Sequence, residues 1–306
     1  MPLTPTAAAD SLTGFAIAWQ LSRLAGNEAP FDFIRLSMVC AISILAYWIG
    51  MVTNDLFDWQ KDTVRAPDRP LVSGAVTARS AMGIIVCCLA SAVTLAIVLN
   101  VLPGFLLLLV TIVAYNSGGK RIPLLGNLLM GSCRSLNLLL GSCSVTGAAL
   151  SEVTGSQHLV TAACVLGLYI AGVTAISILE DRPYHRDTLV RSTATLIVYP
   201  LFLAYLGQTP GEWGNAAVFL WLLARELRLP REHAPDQPHP AGKVVRGGLR
   251  CLYLLDAGLL WYFDLPWAAA GVYGLFVLGW LWMRWWLKSG VTRGKADEEK
   301  VTRGEL

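Results

Sequence analysis

Three aspartates, Asp55, Asp58 and Asp62, close an apolar run that extends from Phe33 to Val52. Their spacing, i, i+3, i+7, places all three carboxylates on one face if the segment is helical. Like charges at the edge of an apolar run repel one another and resist the loss of water. A divalent cation relieves both problems, and hard Mg2+ favours a few carboxylates together with the oxygens of a substrate phosphate. Lys61, Arg65 and Arg69 follow at once. A carboxylate face beside a basic loop is the chemistry of a Mg2+-diphosphate site.

The elements that carry these residues belong to a membrane. The chain has 306 residues, of which 55% are hydrophobic and 15% charged, with a mean hydropathy of +0.53. Soluble domains average about 25% charged residues. A spanning helix needs about 20 mostly apolar residues, and ten runs qualify as candidates: Ala7–Leu24, Phe33–Thr53, Ser80–Asn100, Leu102–Tyr115, Leu124–Ala149, His158–Leu179, Ser192–Leu206, Trp213–Leu227, Val245–Phe263 and Leu265–Leu287. Leu102–Tyr115 and Trp213–Leu227 are short. If one short run only re-enters the membrane, nine spans remain.

Loop charge supports this count. Alternate loops carry Lys61, Arg65, Arg69 and Arg79, then Lys120 and Arg121, then Arg182, Arg186 and Arg191, then Arg228, Arg231, Lys243 and Arg246, then Lys288 to Arg303. The loops between them hold almost no Lys or Arg. By the positive-inside rule the basic loops, the acidic motifs and both termini are cytoplasmic, in a multi-pass protein of the cell (inner) membrane. The expected fold is an all-α polytopic membrane helical bundle of nine or ten transmembrane helices. Its domain covers residues 1–288, followed by a polar, disordered cytoplasmic tail at 289–306. One acidic segment ends the second span and another, Glu180, Asp181 and Asp187, ends the sixth. That echo predicts two helical halves around a central cavity.

Other features bound the function. The basic residues sit between apolar runs without a nucleic-acid-binding motif, so no nucleic-acid partner is expected. The seven cysteines form no CxxC or Cys/His metal pattern and suit small buried hydrophobes. A removable signal peptide is not expected, because the N-terminus lacks a basic n-region. Asp10 and Asp256 lie inside apolar runs, so each calls for a partner.

The stretch NDLFDWQKDTVRAPDRPLVSG, Asn54 to Gly74, resembles the NDxxDxxxD…RPLxxG signature of the UbiA superfamily of intramembrane prenyltransferases. Tyr115 to Asn127, with Lys120-Arg121-Ile122-Pro123-Leu124-Leu125-Gly126-Asn127, is similar to a second segment of that family. Within the superfamily, Gly131-Ser132-Cys133-Arg134-Ser135-Leu136-Asn137 resembles the UbiA-like EboC branch. Two departures stand out. Ser177 occupies the place of the earlier aspartate of the second acidic motif, ahead of Asp181 and Thr188-Leu189, with Glu180 as a possible substitute. The N-terminus lacks the Arg and Asn often found there in the family.

The resemblance implies transfer of a prenyl group from a polyprenyl diphosphate donor to a small-molecule acceptor, aromatic or lipid-like, among membrane lipid. Asp55, Asp58, Asp62 and Asp181 would hold Mg2+, and Asn54 would orient a carboxylate or a water. Lys120, Arg65 and Arg69 are diphosphate clamps in this reading. Tyr115 offers its ring to a carbocation or its hydroxyl to a phosphate oxygen. Arg134 and Asn137, i and i+3, would read the acceptor's polar groups, and Glu180 with Asp181 would close the site from the other half. Plainer roles compete: a solvated helix end for the aspartates, membrane anchors for Lys120-Arg121 and Arg69, an interfacial ring for Tyr115, helix–helix hydrogen bonds for Arg134 and Asn137, and a loop ion pair for Glu180. Ser177 also leaves open a UbiA-like protein that binds or moves a lipid without catalysis.

Overall fold

The structure, a computed structural model, describes residues 4–281 except 28, 66, 68, 148 and 231–238, together with residue 284; the side chains of Arg65, Pro123 and Asp181 fall outside the description. The expected tail at 289–306 and most of the loop 231–242 therefore lie outside the described residues. Every described element is helical. In chain order they are α1 Thr4–Leu24, α2 Phe33–Phe57, α3 Trp59–Arg65, α4 Ala78–Val98, α5 Leu102–Ser117, α6 Pro123–Cys143, α7 Leu150–Thr154, α8 Gln157–Ser177, α9 Arg186–Ala194, α10 Val198–Leu206, α11 Pro210–Glu226 and α12 Pro240–Tyr262, followed by α13 Pro266–Leu281.

Among the described residues, ten helical rods result once the short α3 and α7 are set aside, because α9 and α10 run on through a short 3-10 turn, Thr195–Ile197, as one segment from Arg186 to Leu206. Four rods are long and apolar enough to cross a membrane by length and composition: Phe33–Phe57, Ala78–Val98, Gln157–Glu180 and Arg186–Leu206. The shorter ones are bounded by local chemistry. Pro103 opens α5, and Thr209 with Glu212 forms a reciprocal capping box that starts α11 three residues before the expected Trp213. His239 caps α12, and Pro240 sits at its first turn. Lys243 and Arg246, expected in a loop, therefore lie on the first turns of that helix. The fifth span was expected to reach Ala149, but α6 stops at Cys143. The chain turns there through Gly147, whose φ of 72° only glycine adopts without strain.

Apolar side chains face outward as well as forming the core. α4 and α5 expose Met82, Ile84, Val86, Leu106, Val110 and Val113, while Asp10, Ser11, Thr13, Ser43, Asn137, Ser142 and Asp256 are buried. Lipid accepts the apolar surface, and polar side chains turn inward to find partners. Close backbone approach fixes the centre. On α1 and α6, a Cβ at Gly14 would strike the Leu138 carbonyl, and one at Gly141 would strike the Ser11 carbonyl. On α6 and α8, Gly131 and Gly167 face each other in the same way. Small residues let these three helices pack at near-backbone contact, the usual device where the hydrophobic effect cannot drive association. α6 thus stands between α1 and α8, while α8, α11 and α12 pack together as the second half.

Candidate active site

The first acidic motif sits where one helix hands over to the next. α2 ends at Phe57, Asp58 is its cap with its N–H bonded to the Asn54 carbonyl, and α3 begins at Trp59. The Asp62 N–H continues the ladder to the Asp58 carbonyl at 2.9 Å. The expected helical face is thus kept in spacing but interrupted at its middle aspartate.

The carboxylates divide between two cations. Arg69 Nη1 donates to Asp55 Oδ1 at 3.0 Å and to Asp62 Oδ2 at 2.6 Å. Lys120 Nζ donates to Asn54 Oδ1 at 2.7 Å and to Asp58 Oδ2 at 2.6 Å. Residues 7 to 66 positions apart are thereby brought together. Local sequence explains how each cation arrives. Arg69 stands in a loop whose turns are closed by Ser73 N to Arg69 O and Val76 N to Pro70 O. Gly74 allows the reversal with φ 77°. Lys120 lies on the 3-10 turn Gly119–Arg121 between α5 and α6. That turn is tight: a Cβ at Gly126 would come within 2.8 Å of the Lys120 Cα, and one at Gly119 within 2.7 Å of the Ala114 carbonyl oxygen. The glycines of both motifs place the cations over the aspartates.

A cavity of about 270 Å³ opens beside this cluster, with lining from α1, α2, α5 and α6. Asn54, Tyr115 and Asn116 stand at the cluster's end, and Ala46, Met51, Leu108, Ile112 and Met130 form apolar walls. Ser43, Tyr47, Gly50 and Asn54 recur at i, i+4, i+7 and i+11 along α2 and all line the cavity. That helical stripe was readable in the sequence but was passed over. At the far end stand Arg134 and Asn137, as expected. Arg134 Nη1 donates to Asp10 Oδ2 at 2.8 Å, and Nη2 to Thr6 Oγ1 at 3.0 Å. Asn137 Nδ2 donates to the Ala7 carbonyl at 2.8 Å and to Asp10 Oδ2 at 3.3 Å, and its Oδ1 accepts from Ser43 Oγ at 2.6 Å. Asp10 thus finds the partner its position required.

Of the second acidic motif, Glu180 is not among the residues that line this cavity. Glu180 lies in the 3-10 turn Ile178–Asp181 with its carboxyl beside Gly242 on α12, away from the lining. Ser177 Oγ donates to the Thr174 carbonyl at 2.7 Å, an intrahelical bond that occupies its hydrogen. The side chains of Asp181 and Arg65 lie outside the description. Asp55, Asp58 and Asp62 with the Asn54 amide oxygen are the hard oxygen donors a divalent ion takes, and each ion pair engages one oxygen of its carboxylate. Among the described residues, however, no three His, Cys, Asp or Glu side chains close on a single point. The donor types fit a metal, and the ion pairs must open for one to enter.

An all-helical bundle with an acidic and basic cluster over an apolar, intramembrane cavity defines the class of protein. The profile of the UbiA prenyltransferase family matches residues 14–239, and the chain belongs to that family. It is an integral membrane protein. Among relatives, the digeranylgeranylglyceryl phosphate synthase of Methanococcoides burtonii is 31% identical over 156 residues, 50% of this chain and 53% of that one. The enzyme of the same name from Methanopyrus kandleri is 36% identical over 131 residues, 42% and 45% of the two chains. The chain spans about half the length of the relatives it matches. The fold is shared with a UbiA homolog from Aeropyrum pernix K1 solved in its apo form, at TM-score 0.63 and 19% identity over 84% of this chain and 96% of that one. A structure from work on digeranylgeranylglyceryl phosphate synthase in membranes gives 0.51 and 18%, covering 87% and 94%.

Proposed function

We propose that this protein transfers a prenyl group from a polyprenyl diphosphate to a small-molecule acceptor inside the membrane, with Mg2+ at Asp55, Asp58 and Asp62. The observation that carries the reading is the cluster of three carboxylates, Arg69 and Lys120 at the mouth of an apolar cavity. Two cations against three carboxylates leave one negative charge in excess, so the cluster does not attract a diphosphate by itself. Asp55, Asp58 and Asp62 would hold a divalent cation that would reverse that sign and offset the charge on the departing diphosphate. Arg69 and Lys120, released from the carboxylates, then clamp phosphate oxygens, Arg by its fork and Lys as a point charge. Tyr115, on the cavity wall, stands where an allylic cation forms. The bond broken is that between the allylic carbon and the diphosphate oxygen. The bond formed joins that carbon to the acceptor, which gives up a proton. The cavity is smaller than the roughly 300–1,000 Å³ of ordinary ligand pockets, so most of a long prenyl chain lies between helices in the bilayer. The charge of the basic loops supports a mouth on the cytoplasmic side of the inner membrane.

Asp58→Ala is the test. Turnover of a prenyl diphosphate by the purified, folded variant should fall at least ~100-fold, the scale for losing one electrostatic stabiliser. Unchanged turnover removes Asp58 from the mechanism. A second reading, a UbiA-like carrier of a prenylated or lipid-like compound, is favoured by one observation: Ser177 is internally bonded and Glu180 stands apart from the cavity. Release of diphosphate from a bound donor separates the two, because a carrier leaves the donor intact.

A further inference from the structure

We infer that the inner end of the cavity holds an uncharged polar group of the acceptor, a hydroxyl or a carbonyl, and disfavours a phosphate or carboxylate, because Asp10 already neutralises Arg134. The inference rests on the prenyl-transfer reading and names the class of acceptor.

A lone arginine in an apolar cavity attracts anions strongly, since a dry surround screens little. Arg134 is not such a cation. Its guanidinium is 12% exposed and is tied to Asp10, which is fully buried. A second carboxyl, Asp256 on α12, is also fully buried and lies within interaction range of Asp10 and Thr13. Asp10 Oδ1, both Asp256 oxygens and Thr13 Oγ1 have no hydrogen-bond partner among the described residues. Asp10 thus pairs with the guanidinium directly, and Asp256 adds a second carboxyl within electrostatic reach of it. With both ionised the group is negative; with one protonated it is neutral. With Asp10 ionised against Arg134, no positive charge remains for an incoming anion, which would lose its water for nothing in return.

What remains is hydrogen bonding. Arg134 uses two of its nitrogens on Asp10 and Thr6 and has further N–H donors. Both polar ends of Asn137 are engaged within the protein. Tyr47 adds a hydroxyl on the cavity wall. These groups suit a neutral oxygen. Ser43, at this inner end, and Asn54, at the mouth, are eleven residues apart on α2, about 16 Å along the axis. The group held here is thus a remote polar group of the acceptor, separate from the atom that is prenylated.

The test uses the full chain in zwitterionic nanodiscs and two probes, a long-chain alkylglycerol ether and its monophosphate. The wild type should bind the neutral diol at least tenfold more tightly than the phosphate. Asp10→Asn alone lets Asp256 take over the pairing, so the informative variant is Asp10→Asn with Asp256→Asn, in which the preference should reverse. Asp10→Asn with Arg134→Gln, which removes the pair together, should restore preference for the diol. Tighter phosphate binding by the wild type, binding of neither probe, or a folded double variant with an unchanged ratio overturns the inference. The wild-type comparison stands even if a variant does not fold. Mg2+-dependent binding of a non-hydrolysable prenyl diphosphate, measured on the same samples, reports separately on the prenyl-transfer reading.

Discussion

Arg69 separates structural from functional roles at the scale of single residues. Its side chain is 40% exposed and that of Asp55 30%, a pair so open that it contributes at most ~1 kcal/mol to stability. The other partner of Arg69, Asp62, is only 8% exposed and is stranded when Arg69 is lost. A mere loop anchor would show itself in the thermal midpoint. A diphosphate clamp would show itself in the donor's KM. Arg69→Ala should lower the unfolding midpoint through the stranded Asp62 and, if Arg69 clamps diphosphate, also raise the donor KM at least tenfold in steady-state assays; a lowered midpoint with an unchanged KM assigns Arg69 to the fold. Lys120 is more enclosed, at 16% beside an Asp58 side chain at 17%. Lys120→Met strands the Asp58 carboxylate, so it should reduce both stability and turnover. Measuring both on one preparation checks this.

At the scale of elements, the helices lean on glycine where backbones meet and tolerate it where they do not. Gly14→Val drives two methyl groups and a Cβ into the Leu138 carbonyl on α6, a rigid obstacle. Overpacking of this kind costs about 1–3 kcal/mol or more, so the thermal midpoint in detergent should fall clearly. Gly83→Ala on α4 meets nothing within 4 Å and should be neutral or gain ~0.5–1 kcal/mol of helix propensity. If both variants unfold alike, the α1–α6 contact is not what holds the bundle together. These contacts also show what a sequence conveys and what it hides. The rods were legible because lipid demands long apolar runs, and the first acidic motif because charge is rare there. Loop chemistry in Arg69 to Gly74 and Gly118 to Gly126 was legible as a family resemblance. Its physical purpose, swinging two cations over the aspartates, needed three dimensions. The pairing of Asp10 with Arg134 spans 124 positions, and no periodicity connects residues on different helices. For the same reason Glu180 was expected at the cavity, where its spacing after α8 could not show which neighbour it faces.

For the whole molecule, the two ends of the bundle differ in kind, and that difference supports the proposed orientation. The site end carries the basic loops with Arg69, Lys120 and Arg121. The opposite end also holds two arginines, which at first sight weaken the charge alternation. Both are committed. Arg23 lies over the Trp19 ring at 4.9 Å. Arg35 Nε donates to the Ser144 carbonyl at 2.7 Å, and its Nη2 to the Leu99 carbonyl at 3.2 Å, so it binds the carbonyl-rich ends of α6 and α4, where positive charge is favoured. Trp19, Phe31 and Trp267 stack edge to face at that same end, as interfacial aromatics do. A cation spent on helix ends does not count against the basic loops under the positive-inside rule. Ser73, in the α3–α4 loop, and Asn27, in the α1–α2 loop, are both exposed and sit at opposite ends. In intact cells, a membrane-impermeant maleimide should label Asn27→Cys and reach Ser73→Cys only after permeabilisation, each scored against the wild-type background of native thiols. The reverse pattern would turn the molecule over, placing the diphosphate mouth outside the cell, where no cytoplasmic pool of prenyl diphosphate could supply it.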